Sequence, residues 1–325
     1  MDRMNNAPPD AIQDNPLLAD WSGAFSVPPF ARIAPRHFMP AFARAFAGHS
    51  REVAAIATNN APPTFANTIE ALESAGEALT RVSDVFELIA SADTNDDIQE
   101  IERELAPLEA QHWNRILLDE ALFARVDRIY RARGELATPE QARVLERYHV
   151  MFTRAGAALD AEAKKRLAAI NERLASLATD FCQNVLADEQ AGTLELDGEA
   201  DLEGLPDFVR SAARAAADER ALAGKYIVTT ARSSVEPFLQ FSSRRDLREK
   251  IFRAWIARGD GGGATDNKAI IAEMAALRAE RAGLLGYPSF AHYRLDDAMA
   301  KTPAAVRGLL ERVWVPARAH ALADR

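Results

Sequence analysis

Residues 160–186 read DAEAKKRLAAINERLASLATDFCQNVL. Leu167, Ile170, Leu174, Leu177, Phe181 and Val185 recur at the spacing that lines one face of an α-helix. Alanine, glutamate, lysine and arginine fill the positions between, residues that lose little freedom in a helix. No glycine or proline interrupts the run, so it predicts one long helix. At Gly192 the period changes. Thr193-Leu194-Glu195-Leu196-Asp197-Gly198 alternates by twos, as does Lys225-Tyr226-Ile227-Val228-Thr229-Thr230, and the two runs are expected to pair as a small antiparallel ribbon. Between them, Leu205-Pro206-Asp207 opens a short alanine-rich helix to about Ala223.

Toward the amino terminus the same period of three to four dominates. Residues 1–15 are polar and aperiodic, and Pro16, Pro28, Pro29 and Pro35 then predict an extended strap carrying Leu17, Leu18, Trp21, Phe25 and Phe30. Helices are expected over Ala41–Thr58, then from a cap at Thr64 or Asn67 through Ile69, Leu72, Leu79, Val82, Phe86 and Ile89. Others follow over Asp96–Asn114, Glu120–Arg133, and from Thr138-Pro139-Glu140-Gln141, which combines a capping hydroxyl, proline at the first helical position and an early acid.

Beyond the ribbon, Ser233-Ser234 reads as a turn before Pro237. Helices are expected over Ser243–Ala257, Thr265–Leu285 and Phe290–Asp296, and again from Thr302-Pro303. The last keeps an apolar face through Val306, Leu309, Leu310, Val313 and Trp314, with a kink at Pro316, and meets no stop signal before Arg325, so the chain reads as though cut there. The expected fold is mainly α, a multi-helix amino-terminal lobe with a small antiparallel β-ribbon. Its expected organisation is an arm and strap over 1–36, a helical lobe over 37–191, the ribbon with its short helix over 192–232, and further helices over 233–325.

The chain has 325 residues, 48% hydrophobic and only 7% aromatic, enough for a large core. A formal charge of -9 argues against nucleic acid and anionic membrane surfaces as partners. No apolar run is long enough to span a bilayer, and no signal-peptide pattern precedes residue 30, so a cytoplasmic protein is expected. Cys182 is the single cysteine; it excludes an intrachain disulfide and reads as a buried, inert thiol at the end of a helix.

The chemistry is sparse. A helical zinc hydrolase needs two histidines four apart with a glutamate between them, and His37, His49, His112, His149, His292 and His320 include no such pair. Glu109-x-x-His112 and Glu146-x-x-His149 match the element of di-iron carboxylate bundles, but such a site draws a glutamate from each of two more helices, and the helix between offers only Asp127. His292 and Asp296, four apart, could share a proton or equally form a surface pair. Arg258-Gly259-Asp260-Gly261-Gly262-Gly263 lacks the lysine of a phosphate loop and reads as an interhelical loop with Thr265 or Asp266 as cap. No Gly-x-Ser-x-Gly elbow occurs. No catalytic or metal residue is therefore assigned, and the substrate-binding residues are unknown.

Particular strings nevertheless carry a resemblance. Asn15-Pro16-Leu17-Leu18 with Trp21, Pro28-Pro29-Phe30, Pro63-Thr64-Phe65-Ala66-Asn67-Thr68-Ile69-Glu70-Ala71-Leu72-Glu73 and Arg154-Ala155-Gly156-Ala157 resemble the thimet-oligopeptidase family of zinc metallopeptidases, in its dipeptidyl carboxypeptidase (peptidyl-dipeptidase) branch. Arg244-Arg245-Asp246-Leu247-Arg248, Ala254-Trp255, Arg258-Gly259-Asp260 and Leu284-Leu285-Gly286-Tyr287 extend it across nearly the whole chain. The resemblance implies a bilobed, mainly helical hydrolase with a deep channel. It implies zinc on an H-E-x-x-H helix, a third glutamate ligand, and release of dipeptides from the carboxyl ends of short peptides. All those residues lie outside this sequence, so none is carried over. The chain is expected to supply part of the channel walls, to need the missing carboxyl-terminal half as partner, and to be inactive alone. The competing expectation is a stand-alone helical scaffold or peptide-binding module derived from the peptidase.

Overall fold

The computed structural model describes residues 14–325 apart from Ala137. The polar arm expected over 1–15 thus falls almost wholly outside the described residues. Contacts divide the chain into two compact units, one comprising residues to Ser176 together with Ala275–Arg325, the other Leu177–Met274.

The first unit is helical. Its strap turns through short 3-10 segments at Ala24–Ser26, Phe30–Arg32 and Pro35–His37, with Leu17 buried and the Arg81 guanidinium 4.1 Å over the Trp21 ring. Helix α1 spans Phe38–Ala57, and a π-helical turn over Phe65–Glu70 continues into Ala71–Glu73. Thr64 caps that turn, its hydroxyl accepting from Asn67 N at 3.1 Å. The continuous helix expected through Ile69 and Ile89 is interrupted here. Gly76 adopts φ +83° and helix α2, Glu77–Ala92, starts afresh. Helices α3 (Asp96–Leu117), α4 (Glu120–Arg131) and α5 (Pro139–Ala155) follow, capped by Asn95, Asp119 and Thr138. The Arg125 guanidinium, buried, donates to the carbonyls of Asn59 (2.7 Å) and Ala61 (3.2 Å) and to Asn67 Oδ1 (2.9 Å), fixing the proline-rich break after α1.

Two apolar clusters hold these helices. Phe38, Phe42, Val82, Phe86, Ile98 and Leu105 form the first, with Phe42 and Phe86 edge to face at 5.6 Å. Val53, Ile56, Ile69, Leu122, Val126, Leu145 and Phe152 form the second.

Helix α6 spans Ala161–Ala191, longer than the expected 160–186, with Asp160 accepting from Ala163 N at 2.8 Å. The ribbon forms as expected. β1 (Thr193–Leu196) pairs antiparallel with β2 (Tyr226–Thr229), Leu194 opposite Val228 and Leu196 opposite Tyr226. Leu194, Leu196 and Val228 face a core with Leu202, Val209, Val235 and Phe238. Helix α7 spans Asp207–Asp218.

Two local expectations are corrected. Ser233-Ser234 is no turn but the first turn of α8, Arg232–Phe241, which tolerates Pro237 inside it and buries Val235 and Phe238. Cys182 is exposed and lies well inside α6, because that helix runs past the expected end and turns the thiol outward. Helices α9 (Arg245–Ile256), α10 (Lys268–Leu284), α11 (Phe290–Asp296) and α12 (Pro303–Ala323) complete the chain. The fold is mainly α.

Candidate functional site

A cavity of about 420 Å³ opens in the first unit among α1, α2, α3 and α5. Its position follows from the Gly76 break. The left-handed backbone there brings the chain against His49, and a Cβ on Gly76 would lie 3.1 Å from the imidazole. Gly76 N donates to Glu52 Oε2 at 2.8 Å, so the residue that stops one helix is tied to another.

Behind this break, His49 Nδ1 and His112 Nε2 stand 2.9 Å apart. The rings are 8% and 4% exposed, and Phe46 and Trp113 pack on them at centroid distances of 4.7 Å and 5.7 Å from His112. One proton between two nitrogens is the stable arrangement, since two protons would set like charges in contact. Burial accordingly lowers both pKa values. For His112 burial comes first, then the charges of His49 and Arg115, and the value falls to about 4; for His49 the Glu52 carboxylate partly opposes the effect of burial.

The cavity wall is acidic. Asp84 and Glu87 of α2 and Glu109 of α3 line it, and burial followed by the neighbouring Glu87 charge raises the Glu109 carboxyl pKa. Tyr148 of α5 is raised too, first by burial, then by its hydrogen bond to Glu73 and that residue's charge. Trp113, Leu79 and Met151 supply apolar surface.

The sequence motifs separate in space. His112 of Glu109-x-x-His112 goes to His49, whereas His149 of Glu146-x-x-His149 lies 3.3 Å from Asp127 and stacks on Tyr130 at 3.8 Å. Glu146 pairs with Arg143 at 2.7 Å. His292 and Asp296 also take different partners: His292 Nδ1 lies 2.8 Å from Ser289 Oγ, and Asp296 accepts from Arg154 (2.9 Å) and Tyr287 (2.9 Å). His37 accepts from Ala34 N, and His320 stands on exposed α12. Among the described residues, no three His, Cys, Asp or Glu side chains gather where they could hold a metal ion. The glycine-rich run is a loop within the second unit: Gly259 N donates to Asp188 at 2.7 Å, Thr265 donates to the same carboxylate, and Asp266 accepts from Lys268 N at 2.8 Å.

Sequence reading missed the His49–His112 pair, because the two residues lie 63 positions apart and no spacing rule links them. The one local signal was Gly76 inside an otherwise helical pattern.

A second feature of the first unit is helix α12. Leu309, Leu310, Val313 and Trp314 fall on one face and are all more than half exposed. No residue of the helix is buried. Among the described residues, no helix is long and apolar enough to cross a membrane.

Residues 238–322 match the profile of Peptidase family M3. The chain is 36% identical over 308 residues to the dipeptidyl carboxypeptidase of Escherichia coli (strain K12), which covers 94% of this chain and 45% of that protein. It is 30% identical over 302 residues to oligopeptidase A of Salmonella typhimurium (strain LT2), covering 91% of this chain and 44% of that protein. Organellar oligopeptidase A of Arabidopsis thaliana is 27% identical over 311 residues, with coverages of 94% and 38%. The chain thus spans less than half the length of these relatives.

Proposed function

We propose that this relative of the family M3 peptidases is the amino-terminal portion of a zinc metallopeptidase of the peptidyl-dipeptidase type, whose whole releases dipeptides from the carboxyl ends of short peptides. The observation that carries the reading is similarity running nearly end to end along this chain while spanning less than half of a dipeptidyl carboxypeptidase. In this reading the helices of the chain form part of the walls of a substrate channel, and short unstructured peptides are the substrates.

When bound, zinc would polarise the scissile carbonyl and activate water. A catalytic zinc takes three protein ligands and leaves one position open. The donor set of this chain, with no two histidines four apart in sequence, does not fit that ion. The chain alone is therefore proposed to be inactive, and its contribution is to shape and to assemble. The apolar face of α12 supports this, since a stand-alone scaffold or peptide-binding module gains nothing by exposing Leu310, Val313 and Trp314 to water.

Purified chain should bind no stoichiometric zinc and release no dipeptide from short peptides. Mixing it with a separately produced carboxyl-terminal half of the relatives' type should yield a stable complex and zinc-dependent release. Dipeptide release by the isolated chain, inhibited by a zinc chelator, overturns the proposal.

A further inference from the structure

The ribbon of the second unit is a sheet of two strands among the described residues, so each strand has an outer edge. Thr230 N donates to the Gly192 carbonyl at 3.2 Å, which fixes the parity of hydrogen bonding along the ladder. Leu194 and Leu196 therefore turn their main-chain groups toward β2, and Thr193 and Glu195 turn theirs away. The outer edge of β2 is occupied: α7 and α8 pack on that strand, and Thr229 N donates to Ser234 Oγ at 3.0 Å. The outer edge of β1 is open. Among the described residues, the N–H and C=O groups of Thr193 and Glu195 have no hydrogen-bond partner.

This open stretch has defined ends. Gly192 N donates to the Asp188 carbonyl at 2.9 Å on one side, and Asp197 N donates to Asp201 Oδ2 at 2.9 Å on the other. Helix α9 covers the buried face of the strand, with Ile251 in the core shared by Leu194 and Leu196, while Thr193 and Glu195 are exposed. Donors and acceptors repeating at this spacing complement an extended chain. The surrounding charge is acidic. Lys225 serves both Glu195 (2.6 Å) and Asp197 (3.1 Å), so the two carboxylates share one counter-charge. Two copies joined edge to edge would bring these acids together, whereas a basic residue across from Glu195 completes the charge.

We propose that the outer edge of β1 binds an extended peptide by strand addition, its main chain pairing with Thr193 and Glu195 and a lysine or arginine side chain facing Glu195. In the antiparallel sense, one peptide residue lies across from Thr193 and the residue two before it lies across from Glu195. Each exchanges an N–H and a C=O with its partner, so the main chain supplies the affinity. Side chains of the peptide alternate between faces, so only every second one meets Glu195 or Thr193 and the others are little constrained. The inference rests on the peptidase reading for the source of the peptide alone; the edge and its charge belong to this chain.

The test is fluorescence anisotropy of labelled acetyl-Val-Lys-Val-Thr-Val amide titrated with the whole chain, a measurement that needs no cleavage. Saturable binding is expected. Methylating the lysine and threonine nitrogens should weaken it about tenfold, a loss equal to about 1.4 kcal/mol, because those N–H groups donate to the edge. Methylating the valine nitrogens, which point away from β1, is the matched control and should cost far less. Glu195→Gln, at an exposed position and checked by a thermal melt, should erase the advantage of the lysine peptide over one with glutamine in its place. No saturation, or saturation equally sensitive to both methylation patterns, overturns the inference, while the peptidase reading keeps its separate test in zinc binding and dipeptide release. A lysine advantage that survives Glu195→Gln overturns the placement against Glu195. A dimer in sedimentation that the peptide fails to dissolve makes a second copy the occupant and overturns the inference as well.

Discussion

Helices α1 and α12 are alike in length and apolar patterning and opposites in what covers them. Each is about twenty residues long, 20 and 21, and each carries an apolar stripe at helical spacing. In α1 the stripe, from Phe38 and Phe42 to Val53 and Ile56, is buried. In α12 the equivalent stripe faces water, with Trp314 65% exposed. Patterning thus reports that a face is meant to be covered, but it does not report by what. The covering of α1 is α2, α3 and the strap at its start and α4 and α5 toward its end, all supplied by this chain; α12 has no such cover among the described residues.

This contrast is open to direct attack. The largest effect belongs to α1: Phe42→Ala removes a fully buried ring and is expected to destabilise the first unit by about 3–5 kcal/mol, read as a drop in the denaturation midpoint. Next comes the break beside α1. Gly76→Ala places a side chain at φ +83° and against the His49 imidazole, and should cost about 1–3 kcal/mol in the same measurement. A wild-type midpoint in that variant contradicts the packing described for His49.

The histidine pair gives a pH dependence of defined sign. Burial lowers the imidazole pKa values in the folded chain, so the unfolded chain takes up protons more readily. Stability held by the neutral pair is present above the ordinary value of 6.5 and is lost as pH falls from there toward about 4. His112→Gln removes this share. The difference in melting temperature between parent and variant should therefore shrink on acidification, and a constant difference across that range refutes the assignment. The smallest effect is predicted for α12. Leu310→Asp should change stability by no more than about 0.5 kcal/mol while reducing self-association in sedimentation, and a large destabilisation there would mean the face is already packed.

Local chemistry made most helices legible. Thr138-Pro139 and Thr302-Pro303 each begin a helix where the capping hydroxyl and the preset proline say they should, and period-two alternation located both strands. The errors have physical causes. At Gly76, apolar spacing continued across a glycine whose positive φ is invisible until His49 and Glu52 are placed against it. Around Ser233 the polar dipeptide outweighed Val235 and Phe238, whose burial by the ribbon makes α8 a helix. The cavity could not be read at all, because α1, α2, α3 and α5 contribute to it from segments far apart in sequence.

One clamp has a consequence for assembly. Arg147 grips Asp297 with two bonds of 2.6 and 2.7 Å, and Arg154 holds both the Asp296 carboxylate and the Tyr293 carbonyl while its guanidinium lies 4.6 Å over the Tyr293 ring. The stretch immediately before α12 is thereby bolted to α5, and the Thr302 cap then sets the helix going. The handle is rigid before anything takes hold of it. A partner meeting α12 finds a surface already shaped, so little backbone freedom remains to be frozen on contact, and the affinity of the join depends chiefly on the apolar area it covers.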